Sequence, residues 1–235
     1  MSSRFYKTFG IDRFQIVMVT GIGNREQLIT QLSQETFQTG KRALITSDTE
    51  LSYPPEGQFQ IGSDAQMLLK SSMERENVAP LYLAADLKGK QLVPFDNKTL
   101  IGLTKQIDRG TVLFMIVESN NKDLLSRFKK NRQSLVICTI DFGPIRGDLL
   151  EARMDMVDEE SVKDKQILKD IEKLLSSICR SEEWVSEAHH FVLFVNRIND
   201  IFDENLFIPV GRHLKQKGLT RIYFGNLHTY QIKSI

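Results

Sequence analysis

Apolar positions along this chain fall into two rhythms. Short, nearly continuous apolar runs mark seven predicted strands: Phe14–Thr20, Ala43–Thr46, Leu81–Ala84, Thr111–Val117, Leu135–Ile140, Phe191–Val195 and Arg221–Phe224. Runs such as VLFMIV (112–117) and LVICTI (135–140) lack polar alternation, which is how strands covered on both faces read. Between the runs, apolar residues recur at helical spacing. Leu28 and Leu32 stand four apart after Arg25, and Met67, Leu68 and Met73 punctuate a second helix. In Ser161–Ile178, the residues Ile167, Leu168, Ile171, Leu174, Leu175 and Ile178 form one stripe, with Ser161 placed to cap the first turn. A last helix, Leu206–Lys217, ends before Gly218, a natural residue for leaving a helix.

Strands that alternate with helices predict an α/β fold, a mostly parallel sheet of about seven strands with helices on both faces. No internal repeat or low-complexity linker interrupts the pattern. Residues 1–235 therefore read as a single domain, which a chain of 235 residues can fill. The turn-rich stretch Ser47–Ser63, with Pro54, Pro55, Gly57 and Gly62, reads as an insertion between elements. Gly143–Glu160 holds Asp148, Glu151, Asp155, Asp158, Glu159 and Glu160 just after Asp141, and reads as a solvated loop before the long helix.

Composition adds exclusions. The chain is 41% hydrophobic and 26% charged, with a formal net charge of +1. That balance favours neither nucleic acid nor an acidic membrane surface. The basic run Lys122, Arg127, Lys129, Lys130 and Arg132 holds one aromatic, Phe128, so it offers no stacking platform for single strands and reads as a solvated helix face. No apolar run approaches the ~18 residues of a membrane span, and the first residues show no secretory h-region. Cys138 and Cys179 lie in apolar segments and fit no disulfide or zinc spacing, so they read as reduced core thiols of a cytoplasmic protein. No metal site is predicted: His189, His190, His213 and His228 fall in no ligand spacing. Trp184 reads as packing.

In an open α/β sheet, ligands bind beyond the carboxyl ends of the strands. Four loops qualify. The first joins a predicted strand to a helix through Gly21, Ile22, Gly23, Asn24, Arg25, Glu26 and Gln27. Such a unit can aim backbone N–H groups and a helix N-terminus at phosphate. Against the strict G-x-x-x-x-G-K-[ST] pattern, however, Arg25 at the lysine leaves Val19 and Asn24 at the glycines and Glu26 at the hydroxyl. Alone, the stretch reads as a plain strand-to-helix turn. The other loops are TSDTEL (46–51) with Asp48 and Thr49, ESNNK (118–122) with Glu118 and Asn120, and NRIND (196–200) with Asn196 and Asn199. A carboxylate at Glu118 is where a Mg²⁺-linked acid would stand. Asn120, Asn121 and Asp200 read equally as helix caps.

Taken in order, these pieces resemble the P-loop proteins that are accessory factors of selenium-dependent molybdenum hydroxylases. Their loop G-A-G-G-K-T-T-L lies over Gly21-Ile22-Gly23-Asn24-Arg25-Glu26-Gln27-Leu28 without a gap, and their threonine run over Thr46-Ser47-Asp48-Thr49. Their E-A-D-G is similar to Glu118-Ser119-Asn120-Asn121. Their L-V-V-G-V-V-G-L-D-A-L-G-K-P-L is similar to Leu135–Leu149, with Asp141 and Gly147 as counterparts. An N-K-x-D-like segment falls on Asn196–Asn199. The resemblance implies a P-loop NTPase-like fold and an accessory or maturation role for a molybdenum hydroxylase.

The departures weaken that chemistry. Arg25 keeps the lysine's charge without its compact shape. Glu26 sets a carboxylate where phosphate and hydrated Mg²⁺ meet, and like charges at about 4 Å cost on the order of 4 kcal/mol at an effective dielectric near 20. Asn120 removes a carboxylate near the metal, and Asn199 cannot accept both guanine donors. ATP or GTP with Mg²⁺ is therefore disfavoured, and the leading expectation is a P-loop-like fold that has lost ordinary NTP hydrolysis, either a degenerate paralogue or a protein that binds a partner protein. The alternative is an enzyme that binds a nucleotide or phosphorylated ligand through Arg25 with Glu118, Asp48 and Thr49.

Overall fold

A computed structural model describes residues 4–47, 51–52, 82–83, 91–92, 109–129, 133–147, 169, 171–173 and 190–235. The expected helix around Met67 to Met73, most of Ser161–Ile178 and of Ser47–Ser63, and Asp48, Thr49, Cys179, Trp184 and His189 lie outside them.

The described strands are β1 (Ile16–Ile22), β2 (Arg42–Ser47), β3 (Leu51–Ser52), β4 (Tyr82–Leu83), β5 (Gln91–Leu92), β6 (Thr111–Ile116), β7 (Ser134–Asp141), β8 (Phe191–Asn196), β9 (Ile222–Asn226) and β10 (Gln231–Ser234). The helices are α1 (Arg4–Thr8), α2 (Arg25–Gln38), α3 (Lys122–Lys129) and α4 (Ile201–Gln216). Hydrogen bonds order eight strands β10-β9-β8-β7-β1-β6-β2-β4, and β3 pairs with β5 alone. The fold is α/β with a mostly parallel sheet.

The chain divides into two compact units, 1–20 with 25–136 and 21–24 with 137–235. In the first, β6 runs parallel to β1, with Ile16 opposite Leu113, and to β2, with Arg42 opposite Thr111. The short β4 returns antiparallel on β2. Every residue of β6 is buried, which accounts for its unbroken apolar sequence. Helix α2 turns Leu28, Ile29 and Leu32 into the core. Its buried hydroxyls are satisfied locally: Ser33 donates to the Ile29 carbonyl and Thr36 to that of Leu32, both at 2.7 Å. The N-terminal segment carries no predicted element, yet Phe5, Tyr6, Phe9 and Ile11 are buried. Its anchor is polar: buried Glu35 accepts from the Tyr6 amide at 2.6 Å and from Gln31 at 2.7 Å. Asn121 Oδ1 accepts from the Leu124 amide and caps α3, whose Leu124 and Leu125 are buried.

In the second unit, β8 and β9 are parallel and β10 pairs antiparallel with β9. Buried Phe207 of α4 meets Phe142 and Phe224 edge-on at 6.1 and 5.9 Å. Two expectations are corrected here. The stretch after β7 is helical over 142–147 rather than loop from Gly143 onward. Asp141 Oδ1 accepts from the Gly143 amide at 2.9 Å and Phe142 is buried, so the chain turns at once into the helix, with Gly143, Pro144 and Gly147 exposed to solvent. Helix α4 starts at Ile201 rather than Leu206, because Asp200 caps it through the Asp203 amide at 2.9 Å. The exposed Ile201 and Phe202 conceal that first turn from an apolar-stripe reading.

Candidate functional site

Strand β1 and helix α2 are joined by two residues, Gly23 and Asn24. Gly21 and Ile22 still belong to β1, and Arg25, Glu26 and Gln27 form the first turn of α2. A loop that wraps phosphate presents several successive N–H groups from irregular backbone. Here the irregular stretch has two.

The glycines have structural causes. Gly21 has φ 108°, and a Cβ there would lie 2.1 Å from the carbonyl oxygen of Thr139 on β7. Only glycine allows that approach. Gly23 has φ 76°, with a Cβ position 3.0 Å from that of Asp141. Asn24 follows in the left-handed region at φ 57°, a conformation asparagine tolerates better than most residues. The turn is thus laid against the end of β7.

In the first unit, Arg25 points its charge at the loop after β6. Its guanidinium donates to Glu118 Oε1 at 2.8 Å, with side chains 15% and 36% exposed. The cation that the sequence places at the phosphate lysine is therefore matched to the carboxylate that the sequence places near the metal. Glu26 puts a second carboxylate in the first turn of α2, where it complements the helix dipole as a bound anion would. Asn120 sits in the turn before α3, its carbonyl accepting from the Lys122 amide at 2.8 Å. Asp48 and Thr49 lie outside the described residues.

In the second unit, Asp141 ends β7 and pairs with Arg197 at 3.2 Å. Arg197 carries no signal within NRIND, although it holds φ 67°. Asn196 is fully buried, and its Oδ1 accepts from the Leu227 amide at 3.0 Å. Asn199 Oδ1 accepts from Asn226, and Asn226 Oδ1 accepts from the His228 amide at 2.7 Å. The Asn199 amide and Arg146 both bond to buried Asp203, at 3.1 and 2.6 Å. The hydrogen bond and charge of Asp203 raise the Arg146 pKa further above its ordinary range. NRIND is therefore a brace that ties β8 to α4 and to the turn after β9, and its Asn199 oxygen is engaged in that brace. Arg146, Asp203 and Asn226 give no sequence signal: Arg146 stands in the predicted loop, and Asp203 and Asn226 lie just outside the predicted helix Leu206–Lys217 and strand Arg221–Phe224. The spacing of Asp200 to Asp203 is the cap signal that could have found one of them.

Among the described residues, no group of three His, Cys, Asp or Glu side chains is placed to hold a metal. His213 is half-exposed and faces Glu172 at 3.2 Å.

No protein-family model matches the chain, and no curated protein does. Among solved structures, it is similar to the MinC:MinD cell division protein complex of Aquifex aeolicus. The two are 11% identical, the match covers 89% of this chain and 80% of that chain, and the TM-score is 0.44. That likeness assigns neither family nor activity.

Proposed function

We propose that the chain is a P-loop NTPase-like protein that has given up ordinary Mg–NTP hydrolysis and acts by binding a partner protein. The observation that carries this reading is the 2.8 Å Arg25–Glu118 ion pair. A phosphate held by Arg25 would have to displace a carboxylate already in place and then lie beside Glu26 in the same helical turn. Both terms oppose a polyanion. The two-residue turn at Gly23–Asn24 points the same way, since it offers little backbone to wrap a phosphate. The accessory or maturation role for a molybdenum hydroxylase rests on the sequence resemblance alone. On this reading 1–235 works as one domain in the cytoplasm, where a buried reduced thiol such as Cys138 is at home.

The test is a melting titration with Mg–ATP and Mg–GTP. A ligand at a hundred times its Kd stabilises the folded state by about 2.7 kcal/mol. The expected result is no shift with either nucleotide and no phosphate release. A saturable upward shift that Arg25→Ala abolishes, with phosphate release, would mean that the site is a working one.

A further inference from the structure

Among the described strands, β10 ends the order of eight, with β9 on one side and no strand on the other. Its register on β9 sets Gln231 opposite Asn226 and Ser234 opposite Tyr223. One residue further, the Ile235 amide donates to the Ile222 carbonyl at 3.2 Å. In an antiparallel ladder, residues alternate between bonding the neighbouring strand and pointing away from it. Gln231, Lys233 and Ile235 therefore turn their backbone groups to β9, and Ile232 and Ser234 turn theirs outward. The outer edge offers the N–H and C=O of those two residues at the spacing of a strand ladder.

Edges are commonly blunted by lysine. Lys233 instead leans back over α4, on the face of β10 that it shares with Ile235. It pairs with Glu204, Ile235 fills the space that a Cβ at Gly211 would need, and Lys215 donates to the Ile235 carbonyl. Lys233 is still 52% exposed, and Lys215 and Arg212, one turn apart on α4, are exposed as well. The carboxylates of α4 do not offset them: Asp203 is buried against Arg146, and Glu204 is already matched to Lys233. β10 holds no carboxylate. The α4 side of the edge is therefore basic. Its other face carries Ile232 and Tyr223, both half-buried.

We propose that this edge is where the partner protein binds, and that it takes an extended acidic segment of that protein as an added strand. The inference rests on the partner-protein reading above and gives that partner its surface and its chemistry. Main-chain bonds to Ile232 and Ser234 hold the segment, and its alternating side chains select it. Those toward α4 meet Lys233, Lys215 and Arg212, which call for carboxylates. Those on the other face meet Ile232 and Tyr223, which call for apolar groups. A second copy of the chain fits less well. The antiparallel register that engages Ile232 and Ser234 of both copies sets Lys233 opposite its own symmetry copy, a like-charge contact.

The probe is a fluorescein-labelled peptide of about eight residues that alternates glutamate and valine, titrated into the whole chain by fluorescence anisotropy. A control peptide carries lysine in place of glutamate. Ser234→Pro is the test variant. Proline is tolerated on an edge strand where the lost N–H faces outward, so the β9 ladder stays intact. The expected result is saturable binding of the acidic peptide, weakened about tenfold or more in Ser234→Pro and absent for the lysine peptide. Amide exchange in the wild type supplies a readout that needs no variant: the Ile232 and Ser234 amides slow when the acidic peptide is bound. The proposal is overturned by no saturable binding of the acidic peptide, by equal binding of the lysine peptide, or by undiminished binding in folded Ser234→Pro. Unchanged exchange at both amides overturns it too, as does a dimer in sedimentation that excludes the peptide. No nucleotide enters the experiment, so failure at this edge and failure of the Mg–NTP reading at Arg25 are told apart.

Discussion

Gly21 shows how a residue can look like a nucleotide-binding signal and be held by packing. Its φ of 108°, and the 2.1 Å that would separate a Cβ from the Thr139 carbonyl oxygen, exclude any side chain. Gly40 offers the control, since it also has positive φ (79°) but nothing within 4 Å of its Cβ position. Gly40→Ala is expected to cost about 1–2 kcal/mol, from backbone strain alone. Gly21→Ala is expected to cost clearly more, read from urea midpoints; equal losses would remove the packing explanation. Arg25 and Glu118 make a second residue-scale test. Glu118→Gln leaves the largely buried guanidinium without its carboxylate, and a loss of about 1 kcal/mol is expected, discounted for the exposure of Glu118. Cys138 makes a third. Complete burial pushes its thiol pKa up to about 12, so it stays protonated at neutral pH. The thiol is expected to resist alkylation in the native protein and to react once the chain is unfolded in urea.

At the scale of elements, the helix caps make their own prediction. Asp200→Ala removes the side chain that accepts from the Asp203 amide, at an expected cost of about 1 kcal/mol in urea unfolding. Glu172 reports on how its short helical stretch meets α4. Burial raises its carboxyl pKa, but the hydrogen bonds and charges of Lys217 and His213 outweigh that and hold it below the usual value of 4.5. A group depressed in the folded state adds stability above its unfolded pKa and loses it as pH falls through the folded one. Melting temperature should therefore fall as pH drops through the usual carboxylate value of 4.5 and below it. Lys217→Ala should reduce the part of that fall due to Glu172, and an unchanged profile would contradict the pairing. Seven of the ten described strands, all but β3, β5 and β10, are legible in the sequence, the buried ones through unbroken apolar runs such as VLFMIV; β3 and β5, of two residues each, are too short to be legible. β10 is not legible either, because a short strand of exposed residues such as QIKS leaves no apolar signature. The four loops are legible as strand ends. Their partners are not, since Arg25 with Glu118 and Asp141 with Arg197 are pairs 93 and 56 positions apart in the chain (118 − 25 and 197 − 141), which no periodicity encodes.

For the whole molecule, the single-domain proposal requires one cooperative transition. Fluorescence and circular dichroism are expected to report the same urea midpoint, and two separated transitions would contradict it. The proposed function turns on whether the loop at Gly21–Gln27 takes a nucleotide at all. Calorimetric titration of Mg–GTP and Mg–ATP into the intact protein decides that. No saturable heat is expected for either nucleotide at millimolar concentration. A saturable isotherm with micromolar affinity, lost in Arg25→Ala while that variant still unfolds cooperatively, would contradict the loss of Mg–NTP chemistry.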